Sequence, residues 1–329
     1  MKKRPATKDI RPGKTNSVVM AGMGTAVAVV LSMLGLYMPV FSTLIFLTIP
    51  LPIIYIALKE GSRWALIVTV GTLILDSVFF GIMSGAFLCA IFGVLGVTLG
   101  ICYERNVRPA ITLIAGAAAV LIAFAGQMLF GIYVLGVGDV FMSAEFFDAM
   151  KANTLEILPQ FYSGDALTAM QAQIDIMFDS LKKSVYFAIA AAGLVYSWAA
   201  MTLSQMLFRR MGIKDIPTLP PVSRWEFPVV TVYVYLVSVG IGMLITDDET
   251  LNLILYNFGL ACNFIFWLQG LAFLWWLPNR FPAVSPLRWV IVALAFFIPL
   301  VQTVMIVAGL FDMLMHYRMK RNYEYKRDE

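Results

Sequence analysis

The sequence predicts an all-α, polytopic membrane protein with about nine hydrophobic spans, in a range of eight to ten. Hydrophobic residues make up 60% of the 329 residues, against roughly 45–50% in a soluble domain. The mean hydropathy is +0.82. Most apolar residues fall in runs of roughly 20, the length that crosses a bilayer as a helix. Because lipid offers the backbone no hydrogen-bond partner, we expect these runs to be helical.

The composition also bounds the function. A formal net charge of +4 is too small to indicate a nucleic-acid partner. The sequence has no complete glycine-rich phosphate loop, so we expect no ATP site of that type. No pair of carboxylates, histidine cluster or nucleophile–base spacing stands out in a span, so we expect no enzyme activity, no cofactor and no metal site. The cysteines Cys89, Cys102 and Cys262 are interpreted as buried apolar residues.

The chain begins with a basic tail, residues 1–16, which we place in the cytoplasm because basic residues favour the inner side. Helix one then runs from about Ser17 to Met38. Its early turns contain small residues four apart, which let another helix approach closely in lipid. These residues either pack inside the chain or form a docking face for a separate membrane subunit; they are Gly22, Gly24, Ala26 and Ala28.

Helices two to four continue the membrane core. Two prolines, Pro50 and Pro52, are expected to kink or break helix two, which runs from about Leu44 to Leu58. A polar hinge at residues 59–63 lies on the inner side. Helix three runs outward from Trp64. Helix four, residues 85–102, returns inward with three glycines on one face.

Asp76 is the unusual residue of helix three. It lies about 18 Å along the helix at 1.5 Å per residue, in the outer half of the membrane. Among 24 Lys and Arg and 20 Asp and Glu residues, only Asp76 falls well inside a span. A charged Asp at a helix centre is disfavoured by about 2.5–3.5 kcal/mol on insertion scales. Asp76 therefore either bonds a structural partner, such as Thr72, Gln127 or a backbone carbonyl, or it binds a solute or ion from the outer side.

Helix five, about Ala110 to Val137, carries one amide, Gln127, in a stripe of small residues. This amide bonds either a neighbouring helix or a solute. Residues 138–184 are rich in acids and form an insert that we place outside. Two segments of this insert, 145–158 and 166–181, have the apolar spacing of amphipathic surface helices. A separate helix six, residues 185–208, completes a six-helix core over 17–208.

The remaining third of the chain holds a cytoplasmic loop, residues 209–227, and C-terminal membrane helices over 228–317. Helix seven, residues 228–245, leads through an acidic outer turn to helix eight, residues 251–277. The last apolar run, residues 289–314, is interrupted at Pro299. Nine spans from a cytoplasmic N-terminus would end outside, yet the tail of residues 318–329 is basic. Either the last run folds back at Pro299, or it crosses once and the charge rule fails there; we favour a cytoplasmic tail.

One face of helix eight is polar, with Asn252, Tyr256 and Asn263 along it. Together with Asp76 and Gln127, its Tyr256 and Asn263 side chains are hypothesised to form a substrate-binding pocket. Near the C-terminus, His316 follows Asp312 by four residues at a membrane edge. An interfacial hydrogen bond is the simple interpretation of this spacing, and a metal pair is the alternative.

Two stretches of the first six helices resemble the substrate-binding S components of energy-coupling-factor vitamin transporters: the small residues from Ala21 to Ala28, and the segment from Pro52 to Gly61. The whole chain resembles more closely the YybS-like family of bacterial membrane proteins, whose biochemical role is unassigned. The residues that carry this resemblance are Leu219-Pro220-Pro221 with Trp225, the run from Phe266 to Leu271, and the run from Gly309 to Asp312 followed by Arg318.

The sequence leaves two classes of function open. In the first, the chain is a small-solute-binding or transport-related subunit of the cell membrane that takes energy from a partner ATPase. The resemblance to S components implies a membrane partner subunit beside that ATPase. In the second, the chain is a membrane scaffold or assembly protein without transport activity.

Overall fold

A computed structural model describes residues 14–133, 144–213, 216–244, 248–279, 281 and 284–318. The described residues form helices and turns and no strand, which confirms the all-α class. The predicted tails, residues 1–13 and 319–329, and the predicted end of helix five at Val137 lie outside the described residues. Contacts divide the chain into two compact units, Met1–Ser143 with Ile189–Leu219 and Ala144–Ala188 with Pro220–Glu329.

The first unit contains the N-terminal helices. In chain order they are α1 (Lys14–Tyr37), α2 (Ser42–Phe46), α3 (Pro50–Glu60), α4 (Ser62–Phe80), α5 (Ile82–Leu88), a π-helical segment (Cys89–Gly93), α6 (Val94–Glu104) and α7 (Pro109–Tyr133). The predicted break in helix two is confirmed, because α2 and α3 are separate helices and Pro50 is the first residue of α3. Proline suits that first position, where its missing N–H has no intrahelical partner.

The hinge between α3 and α4 depends on one glycine and one distant carboxylate. Gly61 has a φ of +98°, a conformation that L side chains rarely adopt. The N-terminus of α4 has no cap from its own segment, so the Glu104 carboxylate at the end of α6 accepts from Ser62 N at 3.0 Å. The Glu60 carboxylate accepts from the Ser17 hydroxyl of α1. These bonds tie together the ends of four helices.

The core of the first unit lies between α3, α4 and α6. Ile53, Ile54, Leu95 and Leu99 are all buried there. The helix-four glycines permit this close packing, although not all toward one neighbour: Gly96 and Gly100 lie against α3 and Gly93 lies against Thr69 of α4. Near the C-terminal end of α6, the buried Tyr103 hydroxyl bonds the Ser204 hydroxyl at 2.8 Å.

The second unit contains α8 (Ala144–Ile157), the beginning of α9 (Asp165–Arg210), α10 (Val230–Leu244), α11 (Glu249–Trp276), α12 (Val284–Phe297) and α13 (Pro299–Met315). The predicted separation of a surface helix and helix six is wrong, since α9 is a single helix of 46 residues. The physical reason is visible in the sequence, because no glycine or proline stands between Asp165 and Gly193.

Two exposed ion pairs join α8 to the first part of α9. Lys151 Nζ lies 2.7 Å from Asp175 Oδ1, and Lys182 Nζ lies 2.6 Å from Asp148 Oδ1. The hydrogen bond to Asp175 raises the pKa of the Lys151 ammonium above its usual range. Exposed pairs of this kind contribute little stability each, so they orient α8 more than they stabilise it.

The described residues do not confirm the predicted count of about nine spans, in a range of eight to ten. Seven described helices or helix pairs are long and apolar enough to cross a membrane, and α12 with α13 makes eight if the two count as one bent span. The α10 helix has 15 described residues, about 22 Å, which is shorter than the roughly 30 Å hydrocarbon core. The predicted interruption at Pro299 is confirmed, because the chain bends there by 117°.

Very close packing joins α11 and α13. A Cβ at Gly309 would overlap the Phe266 carbonyl, and a Cβ at Gly270 would overlap the Met305 carbonyl. The backbones therefore touch at this crossing, as small residues allow between membrane helices. On the other side of α11, α10 packs in antiparallel fashion, with the Tyr235 and Phe266 rings 5.4 Å apart.

Candidate functional site

Asp76 lies on the buried face of α4. The buried residues of this helix recur every three or four positions and end with Asp76; they are Ala65, Val68, Thr69, Thr72 and Asp76. This is the helical period, so the face turned toward the other helices becomes polar toward the C-terminal end of α4. Asp76 itself is 0% exposed. It stands four residues before the end of α4 at Phe80, about 6 Å along the helix axis.

One oxygen of the Asp76 carboxylate has a partner and the other has none. The Ser32 hydroxyl of α1 donates to Asp76 Oδ2 at 2.8 Å. Asp76 Oδ1 is buried and has no hydrogen-bond partner among the described residues. The prediction that Thr72 is the structural partner of Asp76 is wrong, because the Thr72 hydroxyl donates to the Val68 carbonyl at 2.9 Å. A buried acceptor without a donor is unfavourable and calls for a ligand, an ion or a proton.

The π-helical segment Cys89–Gly93 lies beside this face of α4. The Cys89 thiol points at the Thr69 carbonyl, 3.6 Å away, and a Cβ at Gly93 would lie 2.8 Å from Thr69 Cγ2. Single-turn π segments inside α-helices are frequent at functional sites. This segment also contacts α7, the helix that carries Gln127.

Gln127 shares one property with Asp76. Its side-chain oxygen, Oε1, is buried and has no partner within the described part of the chain. The two residues belong to the same compact unit, and their helices both contact the π segment. No hydrogen bond joins them, so Gln127 is not the structural partner of Asp76. Both side chains present an acceptor that a ligand with donors could satisfy.

The other two residues of the hypothesised pocket lie in the second unit. Tyr256 is 37% exposed and Asn263 is half-buried, both on α11. The structure brings Asp76 and Gln127 into one unit and places Tyr256 and Asn263 in the other. A single pocket formed by all four therefore stays a prediction.

The small residues of α1 divide into two faces. Gly24 and Ala28 are buried, and a Cβ at Gly24 would lie 2.9 Å from Ile56 Cγ1. This pair therefore packs inside the chain. Gly22 and Ala26 are exposed, and a Cβ at Gly22 would meet nothing within 4 Å. Only the second pair remains available as the predicted docking face.

Sequence reasoning missed Asn257 of α11. Its side chain donates to the Lys183 carbonyl at 2.7 Å and accepts from Phe187 N at 3.0 Å. In a regular helix those two backbone groups bond each other. Asn257 thus attaches α11 to one turn of α9. It stands one position from Tyr256, and an amide inside an apolar run was the available signal.

A second buried polar network joins residues that carry the family resemblance. Asp312 Oδ2 accepts from Arg318 Nε and from Gln269 Nε2, each at 2.7 Å. Asp312 and Arg318 are each only 3% exposed. Gln269 Oε1 in turn accepts from Phe227 N at 3.1 Å. We call Gln269, Asp312 and Arg318 the clasp, since they hold the segment before α10 against the ends of α11 and α13.

The Asp312–His316 spacing has a simple explanation. His316 ends α13 in the left-handed region, with a φ of +50°, and its backbone N donates to the Asp312 carbonyl. Its side chain is exposed. Among the described residues there is no group of three or more His, Cys, Asp or Glu side chains that could hold a metal ion. The metal-pair alternative gains no support from this geometry.

These features define a multi-pass helical membrane protein with buried polar groups in each of two units. Residues 26–313 match a family described as "Predicted membrane protein (DUF2232)", and the chain belongs to this family. It is 24% identical over 312 residues to "Uncharacterized protein YybS" of Bacillus subtilis (strain 168), an alignment that covers 93% of this chain and 99% of that protein. No solved structure matches the chain. The resemblance to S components accordingly stays a prediction.

Proposed function

We propose that this chain is a transport-related subunit of the cell membrane that binds a small solute or cation beside Asp76 and relies on a partner ATPase for energy. The single observation behind this proposal is the Asp76 carboxylate, fully buried in a span with Oδ1 unpartnered among the described residues. A carboxylate at such a depth is functional more often than structural.

The geometry indicates what kind of group would bind. Asp76 Oδ1 and Gln127 Oε1 are both acceptors without donors. The only side-chain hydrogen bond described for Asp76 comes from the Ser32 hydroxyl. A ligand with a positive charge or with hydrogen-bond donors would therefore satisfy the site.

The proposal is tested with Asp76→Asn, which keeps the shape of the side chain and removes its charge. Wild-type and variant protein are purified, and the small molecules that copurify are extracted and quantified by mass spectrometry. We expect at least one species to fall tenfold or more in the variant, equivalent to about 1.4 kcal/mol of binding free energy. Melting temperature should change little.

Thr69→Val is the matched control, because the Thr69 hydroxyl lies on the same face and bonds only its own helix, at the Ala65 carbonyl. It should retain the copurifying species. If the same small molecules copurify in equal amounts with all three proteins, the role of Asp76 is structural. The scaffold alternative predicts that outcome together with a copurifying protein partner.

A further inference from the structure

The clasp forms the floor of a cavity in the second unit. This cavity encloses about 320 Å³ and is partly open, a size in the range of small-molecule sites. Phe227 and Met313 supply apolar wall, and Glu226 and His316 stand at the rim. Five of the nine lining residues are polar or charged, more than in the usual, predominantly apolar ligand pocket.

The floor of the cavity is electrically neutral. Arg318 is paired with Asp312 through Nε, and its Nη1 and Nη2 atoms donate to the Ser223 and Trp225 carbonyls at 2.9 and 2.8 Å. Each nitrogen of the guanidinium thus has an acceptor within the chain. An anion in the cavity would have to displace these bonds, so the clasp does not favour one.

The rim carries the charge that is not neutralised. Glu226 is exposed, and its carboxylate has no hydrogen bond or ion pair within the described ranges. A negative rim over a neutral floor attracts a cationic group. The Phe227 ring beside it offers an apolar surface that tolerates the methylene or methyl groups of an amine.

Aromatic residues cluster at the end of α11, close to this cavity, as is usual at a membrane interface. The Tyr317 ring lies 5.9 Å from Trp276, and the Trp275 ring lies 5.2 Å from Trp289. Tryptophan and tyrosine are enriched where the bilayer meets water. Tyr317 directly precedes Arg318 of the clasp. A ligand at this height can therefore come from water or from a lipid headgroup.

We infer that this cavity binds an ammonium group, from a free amine or from a phospholipid headgroup, with Glu226 as its counter-ion and the clasp as its floor. This inference does not depend on the proposed role of Asp76. It concerns other residues, in the other compact unit.

The test uses the full chain in detergent micelles, with ethanolamine hydrochloride as the probe and sodium chloride at equal ionic strength as the reference. Melting temperature is followed by tryptophan fluorescence. Ethanolamine should raise it in a saturable manner, because a ligand that binds only the folded state stabilises that state. In Glu226→Gln, the concentration for half of the effect should rise at least tenfold. Glu156→Gln, an exposed glutamate on α8, is the matched control and should respond as the wild type does.

A cavity-filling variant and a lipid-binding experiment complete the test. Val229→Phe fills the cavity from its wall and should weaken the response while Glu226 remains. In nanodiscs, native mass spectrometry should show retained phosphatidylethanolamine that Glu226→Gln loses. A response to ethanolamine assigns the site to free amines, and retention of the lipid alone assigns it to headgroups. The inference is overturned if neither probe gives saturable binding, or if Glu226→Gln responds as Glu156→Gln does.

Discussion

Removing the carboxylate of the clasp should destabilise the second unit strongly. In Asp312→Ala, the Arg318 Nε and Gln269 Nε2 atoms both lose the oxygen that they share at 2.7 Å. Arg318 is 3% exposed, so its positive charge stays buried without a counter-ion. Breaking a buried pair from one side reduces the free energy of unfolding by about 3–5 kcal/mol. We expect a loss of this size.

Asp248→Ala provides the comparison for this experiment. Asp248 Oδ1 accepts from Leu251 N at 3.0 Å at the exposed N-terminus of α11, and losing such a cap typically costs about 1 kcal/mol. Both variants are measured by denaturant titration in detergent micelles, with tryptophan fluorescence as the signal. A double-mutant cycle with Arg318→Met should give a coupling of about 0.5–3 kcal/mol. Equal losses for the two aspartates, or additive effects in the cycle, would refute the reasoning.

Two further predictions concern packing and topology. Gly24→Leu should lower the melting temperature because an added Cβ would lie 2.9 Å from Ile56 Cγ1, whereas Gly22→Leu should leave it unchanged; equal melting temperatures would contradict the division of α1 into two faces. In a variant without native cysteines, an impermeant thiol reagent on intact cells should label a cysteine at position 163 but not at 223 or 316. The reverse pattern would overturn the predicted orientation. Different labelling at 223 and 316 would mean that the segment before α10 and the end of α13 lie on opposite sides of the membrane.

Much of the fold could be predicted because it depends on local sequence. The span class follows from hydropathy, and the breaks at Pro50 and Pro299 follow from the geometry of proline. The continuity of α9 was not predicted, because the acidic insert was expected to end at residue 184 and helix six to begin at 185. Charge alone does not end a helix, and no glycine or proline is present there to do so.

The site was only partly predictable, because its decisive partners are distant in sequence. The isolation of Asp76 in a span is visible in the sequence, but its partner Ser32 stands 44 positions away. Gln269 and Asp312 are 43 positions apart. Hydroxyl and amide side chains occur in several spans, and periodicity does not indicate which of them face each other. Gln269, Asp312 and Arg318 belong to the stretches that carry the family resemblance, but only the fold shows that they bond one another.

The clasp also determines which end of α11 lies beside the end of α13. Arg318 donates to the Ser223 and Trp225 carbonyls, so the end of α13 lies on the same side as the segment before α10. Trp289, near the start of α12, packs on Trp275 at the end of α11. The α12–α13 pair therefore begins and ends beside the same end of α11, with its 117° bend between. A segment that enters and leaves on one side adds no crossing, so the predicted cytoplasmic tail requires the short α10 to cross in addition to the seven long spans.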